Sequence, residues 1–293
     1  MRHSREHQDV EKRINPLLAE GFRNVDQQSP DEQQRCVQCL AFIKEHPGFL
    51  AVRDVAFEKL DLGTSNLVVY DVGCGAGFDT LEIARRIGKG GRVIGIDMSE
   101  ALIDEARGRA ASAAVGLPAE FAVGDARTLT INGTVKPGSA DRLYMERALQ
   151  HVPRGDFGDV LREYHAALKP GGTFVSVEPN WELFTVRSTH IDTTRTIHHH
   201  WTDRFNHSDV AMNLLSGMRG VGFGEVVQQL IPVVFTVFEE AELVFDFNRT
   251  VDAAVSTGAL TREQGANWLA EQRAAGDGFY CCLMMAITTG RKN

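Results

Sequence analysis

The chain has 293 residues, 43% of them apolar and 24% charged, which is ordinary for a globular protein and enough for one sizeable core. A formal net charge of −8 argues against a general nucleic-acid binder, which usually carries a basic stripe. No apolar run reaches the roughly 18 residues of a membrane span, no apolar signal segment follows the first residues, and five cysteines lack framework spacing. The expectation is a cytoplasmic protein in a reducing compartment.

Residues 8–60 read as helices. Val10, Ile14, Leu17 and Leu18 line one face of a first, and Phe22 follows it. Glu32 to Lys44 forms a second with Cys36, Cys39, Leu40 and Ile43 on one side; Pro47-Gly48 breaks it, and Phe49 to Leu60 gives a third. Cys36-x-x-Cys39 reads either as a metal or redox pair or as two small helix residues, and no second pair accompanies it. A boundary near residue 60 separates this helical part from residues 61–293.

Leu67 to Tyr70 is an apolar run typical of a buried parallel strand, and Thr80 to Ile87 has apolar residues at helical spacing. Between them lies an acidic-x-G-x-G-x-G turn: Asp71, Gly73, Gly75 and Gly77. Strand, glycine turn and helix open a nucleotide-binding βαβ unit, in which the glycines admit a ligand close to the backbone. A dinucleotide fingerprint needs a small residue where this chain has Phe78. An acid on the strand also disfavours a pyrophosphate and suits a cationic ligand. S-adenosylmethionine, with an amino group, a sulfonium and no phosphate, therefore fits better than NAD.

With these residues the chain resembles the class I S-adenosylmethionine-dependent methyltransferases, and the likeness runs from about Leu67 to Val177. Val93 to Ser99 resembles the family's second strand, whose acid, here Asp97, holds the ribose hydroxyls. Phe121 to Ala126 resembles the third, whose acid, here Asp125, faces the adenine amine. The resemblance implies a cofactor site built from Asp71, Gly73, Gly75, Gly77, Asp97, Met98, Asp125, Ala126 and Glu146. It also implies an α/β, Rossmann-like sheet of seven strands in the order 3-2-1-4-5-7-6, mostly parallel, with helices on both faces. In that family N-terminal helices often cap the cofactor mouth; covering a sheet edge is the other reading for residues 1–60.

Further along, Asp141 to Met145 reads as the fourth strand and Phe157 to Leu168 as the next helix. Lys169-Pro170-Gly171-Gly172 stops that helix and Thr173 to Val177 is the fifth strand. Met212 to Val221 is the last core helix; Val226 to Phe238 and Phe279 to Thr288 supply the final hairpin. Two insertions, 181–209 and 239–278, exceed what the fold needs and suit lids, the second with helical patterns at 239–256 and 261–274. Ligands of open α/β sheets bind at the carboxyl ends of the strands, where the first insertion begins.

Methyl transfer is an in-line displacement helped chiefly by positioning, so a base is needed only where the acceptor loses a proton. Catalytic candidates are His151, Glu178 and Arg147. Histidine titrates near neutrality and suits proton removal, but His151 reads more readily as a helix-start residue that fixes the loop. Arg147 pairs with an anionic acceptor or with Glu146. Glu178 acts as a base, or is ion-paired with Arg147 or Arg187. Trp181, His200 and Arg204 are candidate acceptor contacts, with Phe184 as a further pocket wall. Three consecutive histidines, His198 to His200, cannot share one direction on a helix or strand, and no metal ligand set is expected from them. Arg187, Arg195 and Arg204 make this insertion locally basic and hint at an anionic acceptor.

The expected function is methyl transfer from S-adenosylmethionine to carbon, oxygen or nitrogen of a small molecule, anionic or aromatic, of the quinone or natural-product kind. No nucleic-acid partner is expected, and self-association is left open. The rivals are a protein or RNA methyltransferase on the same core, a NAD(P)-dependent oxidoreductase, and a non-catalytic cofactor binder. An RNA enzyme would want an aromatic-basic patch, which is missing, as is an Asn/Asp-Pro-Pro-aromatic signature after the fourth strand.

Overall fold

The computed structural model describes residues 22, 24–113 and 116–293; the first predicted helical face, Val10 to Leu18, lies outside them. Two helices come first, α1 (Pro30–Glu45) and α2 (Pro47–Leu60), each with proline in its first turn. Ser29 caps α1 by accepting from the Glu32 amide, while the His46 ring accepts from Gly48 N–H and starts α2 after a one-residue break. Cys36 and Cys39 pack inward from α1, and burial pushes their thiols up to about 11 and about 12. They are therefore core thiols, and among the described residues no group of three metal ligands occurs.

The βα alternation follows: β1 (Val68–Val72), α3 (Phe78–Arg86), β2 (Arg92–Asp97), α4 (Glu100–Ser112) and β3 (Ala119–Val123). Next come β4 (Ala140–Glu146), α5 (Phe157–Ala167), β5 (Leu168–Val186), α6 (Ile191–Thr202) and α7 (Val210–Gly220). The chain ends with β6 (Phe223–Phe235), α8 (Phe238–Phe245), α9 (Phe247–Ser256), α10 (Arg262–Ala274) and β7 (Cys281–Lys292). The sheet order is β3-β2-β1-β4-β5-β7-β6, with β7 antiparallel to both neighbours, as the family resemblance implies.

Both sheet faces are covered, so the central strands bury alternate residues on opposite sides. Tyr144 and Val175 face the core beneath α1, α2 and the insertions; Leu143, Met145 and Phe174 face the core under α5 and α7. Among the described residues no helix is long and apolar enough to cross a membrane.

Two departures from the sequence reading matter for the site. The fifth strand does not stop at Val177 but runs on to Val186, because the first half of β7 offers it a partner at Thr185↔Cys282 and Val186↔Cys281. The first insertion therefore leaves the sheet as strand before it turns into α6. In the second insertion the pattern at 239–256 divides into α8 and α9 at Asp246, whose φ of 48° is left-handed, a conformation that aspartate tolerates better than most residues.

Candidate active site

At the carboxyl ends of β1 to β4 the structure encloses a cavity of about 510 Å³. Its walls include Gly73 and Gly75 after β1, Asp97 and Met98 after β2, Asp125 and Ala126 after β3, and Glu146, Arg147 and His151 after β4. Leu40 of α1 closes the same cavity from the N-terminal side. Nine of the residues singled out in the sequence thus meet at one place, although they are spread over some eighty positions of chain.

The local chemistry explains the convergence. Gly73 has φ 74°, and a Cβ there would lie 2.6 Å from the Ala148 methyl, so the first turn can approach the β4 loop only as glycine. The turn is tied to β2 by Gly73 and Cys74 N–H groups donating to the Ile96 carbonyl at 2.7 and 3.0 Å. Asp97 completes the tie: one carboxylate oxygen accepts from Gly75 N–H (2.8 Å) and the other from Ser99 N–H (2.9 Å). Burial raises the Asp97 carboxyl, opposed by those two amides. Ser99 caps α4, and Asp26 accepts from the Ser99 hydroxyl and from the Glu100 and Ala101 amides, anchoring the segment before α1 to this βα unit.

Asp71 and Gly77 are placed differently. Asp71 is buried beneath the glycine turn, accepts from the Thr80 hydroxyl at 2.5 Å, and is pushed up to about 8 by burial and by Asp79. Gly77 is the left-handed N-cap of α3, packed against Ala106 and Phe121, where any side chain would collide. Both support the turn from behind the cavity wall.

A charged cluster that the sequence reading did not assign lies under the same turn. Lys44 of α1 reaches Asp79 at 2.5 Å and Glu146 at 2.6 Å. Glu146 also accepts from the Tyr144 hydroxyl at 2.9 Å and pairs with Arg147 at 3.1 Å. Burial works against the Glu146 charge, but the Lys44 and Arg147 cations hold its carboxyl below the usual range. Asp79, with less help, is pushed up to about 7 by burial. Arg147 is therefore committed to Glu146, the second of the two readings given above, and lies over the Phe49 ring at 5.7 Å. Asp125 is likewise gripped by Arg127, with contacts of 2.6 to 3.0 Å.

Glu178 does not reach the cavity. It is fully buried at the end of the parallel part of β5, and its Oε1 accepts from the Ala148 and Leu149 amides at 3.1 and 2.8 Å. That bond shapes the short 3-10 turn Leu149–His151, which puts the His151 ring in the cavity wall. Burial pushes the Glu178 carboxyl up to about 8 against those amides. An acid whose folded value lies above its unfolded one is protonated in the fold and withdraws stability as pH rises between the two values. Glu178→Gln keeps an oxygen for both amides and removes the titration. The variant should therefore gain stability relative to wild type as pH rises between about 4.5 and 8, by about 1.4 kcal/mol per pH unit at most. Urea unfolding at several pH values measures the difference, and parallel curves would show that Glu178 does not titrate there.

Trp181, His200 and Arg204 also stay out of the cavity wall. Trp181 is buried, stacks on Phe205 at 4.9 Å, and donates to Gln150 Oε1 at 3.0 Å, one layer behind the wall. His200 bonds the Thr257 hydroxyl between α6 and α9, and Arg204 follows α6. Arg187 donates to the Gly278 carbonyl and Arg195 pairs with Asp192 at the surface, so the local basicity of this insertion is spent on the protein itself. Lys44, Arg127 and Gln150 carried no motif signal; Lys44 is positioned by tertiary contact, Arg127 by its near neighbour Asp125, and Gln150 by both the Arg147 carbonyl and Trp181.

The donor set fits S-adenosylmethionine. Each Asp97 oxygen is bonded once and keeps a lone pair for a ribose hydroxyl. Met98, 58% exposed, offers an apolar face for a purine. Among the described residues the two arginines in the cavity wall are both occupied by acids, which suits a ligand without phosphate.

Fold and site together define a Rossmann-like core with a cofactor cavity at the carboxyl ends of its strands. Residues 69–172 match the family model described as a methyltransferase domain. The chain is 34% identical over 220 residues to an uncharacterized 37.1 kDa protein in a transposon of Streptomyces fradiae, covering 74% of this chain and 60% of that protein. It is 31% identical over 172 residues to a carboxy-S-adenosyl-L-methionine synthase of Glaesserella parasuis, covering 58% of this chain and 64% of that protein. It therefore spans a little under two thirds of these relatives. Among solved structures, phosphoethanolamine N-methyltransferase 2 of Haemonchus contortus superimposes with a TM-score of 0.58 at 14% identity, over 94% of this chain and 60% of that one. The chain carries a methyltransferase domain of the class I S-adenosylmethionine-dependent family.

Proposed function

We propose that this protein transfers the methyl group of S-adenosylmethionine to a small-molecule acceptor, a specialised metabolite methylated on carbon, oxygen or nitrogen. One observation carries the reading: a single cavity gathers the glycine turn, the Asp97 carboxylate and His151, and among the described residues both of its arginines are paired with acids. Its volume of about 510 Å³ lies in the range of small-molecule sites.

The cofactor, when bound, supplies an electrophilic methyl group on its sulfonium. Asp97 accepts the ribose hydroxyls, Gly73 and Gly75 allow the close backbone approach, and Met98 covers the purine. Glu146 contributes negative charge near the methionine moiety, and the N-terminal helices cap the cofactor through Leu40. His151 takes the proton of an O–H or N–H acceptor on its ring. Glu178 is a positioning residue that holds the turn carrying His151.

Asp97→Ala should weaken S-adenosylhomocysteine binding by about 1.5–3 kcal/mol, since it removes the ribose partner and frees two amides that fix the turn. Titration calorimetry reads this directly, and unchanged affinity would refute the assignment. For the acceptor, methyl-labelled cofactor is incubated with the protein and a cell extract, with Asp97→Ala as control. Label in a small-molecule fraction supports the reading. Label in protein or RNA overturns the substrate class and leaves the cofactor assignment standing.

A further inference from the structure

A second cavity, of about 280 Å³, lies where the two insertions meet, between the end of β5 and helices α6, α9 and α10. It shares no lining residue with the cofactor cavity. Trp181 and Phe205 stand between the two: Trp181 bonds Gln150 of the cofactor cavity on one side and packs edge-on against Trp201 of the second cavity on the other. We propose that this second cavity is a separate binding site for a planar aromatic ligand that carries one hydroxyl, a phenol.

Aromatic rings make up much of the wall: Phe184, Trp201, Phe247 and Trp268. Most of its polar groups are already used. Thr194 accepts from Trp268 Nε1 at 2.8 Å and donates to the His190 carbonyl, Ser188 donates to Glu271, and Arg195 pairs with Asp192 at the surface. Apart from the Thr185 hydroxyl at the exposed rim, two groups are left, and they lie three residues apart on one face of α6. His198 Nε2 lies 2.8 Å from the Trp181 carbonyl, which can only accept, so the ring proton is on Nε2 and Nδ1 is an acceptor. Burial lowers the His198 pKa and keeps the ring in that neutral form. The Trp201 indole N–H is buried with no partner among the described residues. A hydroxyl donates to a histidine nitrogen and accepts from an indole N–H at once through a single atom. A carboxylate would lack the donor, and the surface pairing of Arg195 leaves it no countercharge.

The three tryptophans of the chain make the test direct. The indole N–H resonances of Trp201 and Trp268 are followed by nitrogen-proton NMR during titration with p-cresol, and again with 4-methylanisole, which has the ring without the donor. Saturable shifts of Trp201 and Trp268 are expected with p-cresol, with roughly tenfold weaker binding of 4-methylanisole, the size of one hydrogen bond. Thr185→Phe, at the exposed rim, should block the cavity and abolish the shifts while S-adenosylhomocysteine still binds; Ile191→Phe plugs the same rim should the first variant not fold. Absence of saturable shifts, shifts that persist in the plugged protein, or p-cresol displaced by S-adenosylhomocysteine would each overturn the proposal. The outcome is independent of whether methyl transfer occurs in the first cavity.

Discussion

Lys44→Met is expected to cost about 3–5 kcal/mol of folding stability near pH 8, the range for breaking a buried ion pair from one side. Lys44 is 11% exposed and its partners Asp79 and Glu146 8% each, so neither acid can recover its lost partner by turning to water. Methionine keeps the length of the side chain and isolates the charge. The cost should depend on pH. Without the ammonium, the folded-state values of both carboxyls rise, and an acid raised on folding loses stability as pH climbs through its folded value. Asp79 already stands at about 7, so at about pH 6 it is protonated and only Glu146, still beside Arg147, bears the loss. The variant should therefore be least stable on the alkaline side, with Asp79→Asn in the same chain restoring part of the difference. Urea unfolding of wild type and variants at two pH values decides it; a loss below about 1 kcal/mol at both would mean the cluster is effectively solvated.

This cluster also shows where sequence reasoning stops. The glycine turn and Asp97 were legible because each rests on local pattern, residues that tolerate positive φ and an acid at a strand end, while the sheet order followed from the family resemblance those residues carry. Asp79 stood inside the glycine-turn stretch, but its meaning depends on Lys44, thirty-five positions earlier on another helix, and no periodicity links the two. Glu178 illustrates the opposite error. A glutamate at a strand end near a proposed site reads as a base, yet its oxygen is bonded to two backbone amides, contacts invisible in the side-chain sequence. The basic insertion misleads in a similar way, since Arg187 and Arg195 find partners within the fold. The continuation of β5 to Val186 depends on how far β7 extends, a non-local fact.

His151→Ala is expected to lower kcat by about 10²- to 10⁴-fold on an O–H or N–H acceptor, with S-adenosylhomocysteine affinity nearly unchanged. The ring lines the cofactor cavity while its backbone is fixed independently: its N–H donates to the Ala148 carbonyl at 3.0 Å and its carbonyl accepts from Asn206 at 2.7 Å. Truncation to alanine leaves both of those bonds in place, so loss of rate without loss of cofactor affinity would report on the ring. A turn-forming role predicts something else: a lower melting temperature, weaker cofactor binding and a raised KM. Two further readouts separate the roles. The acid limb of the wild-type pH profile should vanish in the variant, because the group that must be deprotonated is gone, and added imidazole should restore part of the rate. A variant that turns over normally at every pH would remove His151 from the chemistry, leaving positioning alone to drive a transfer to an acceptor that carries no proton to lose.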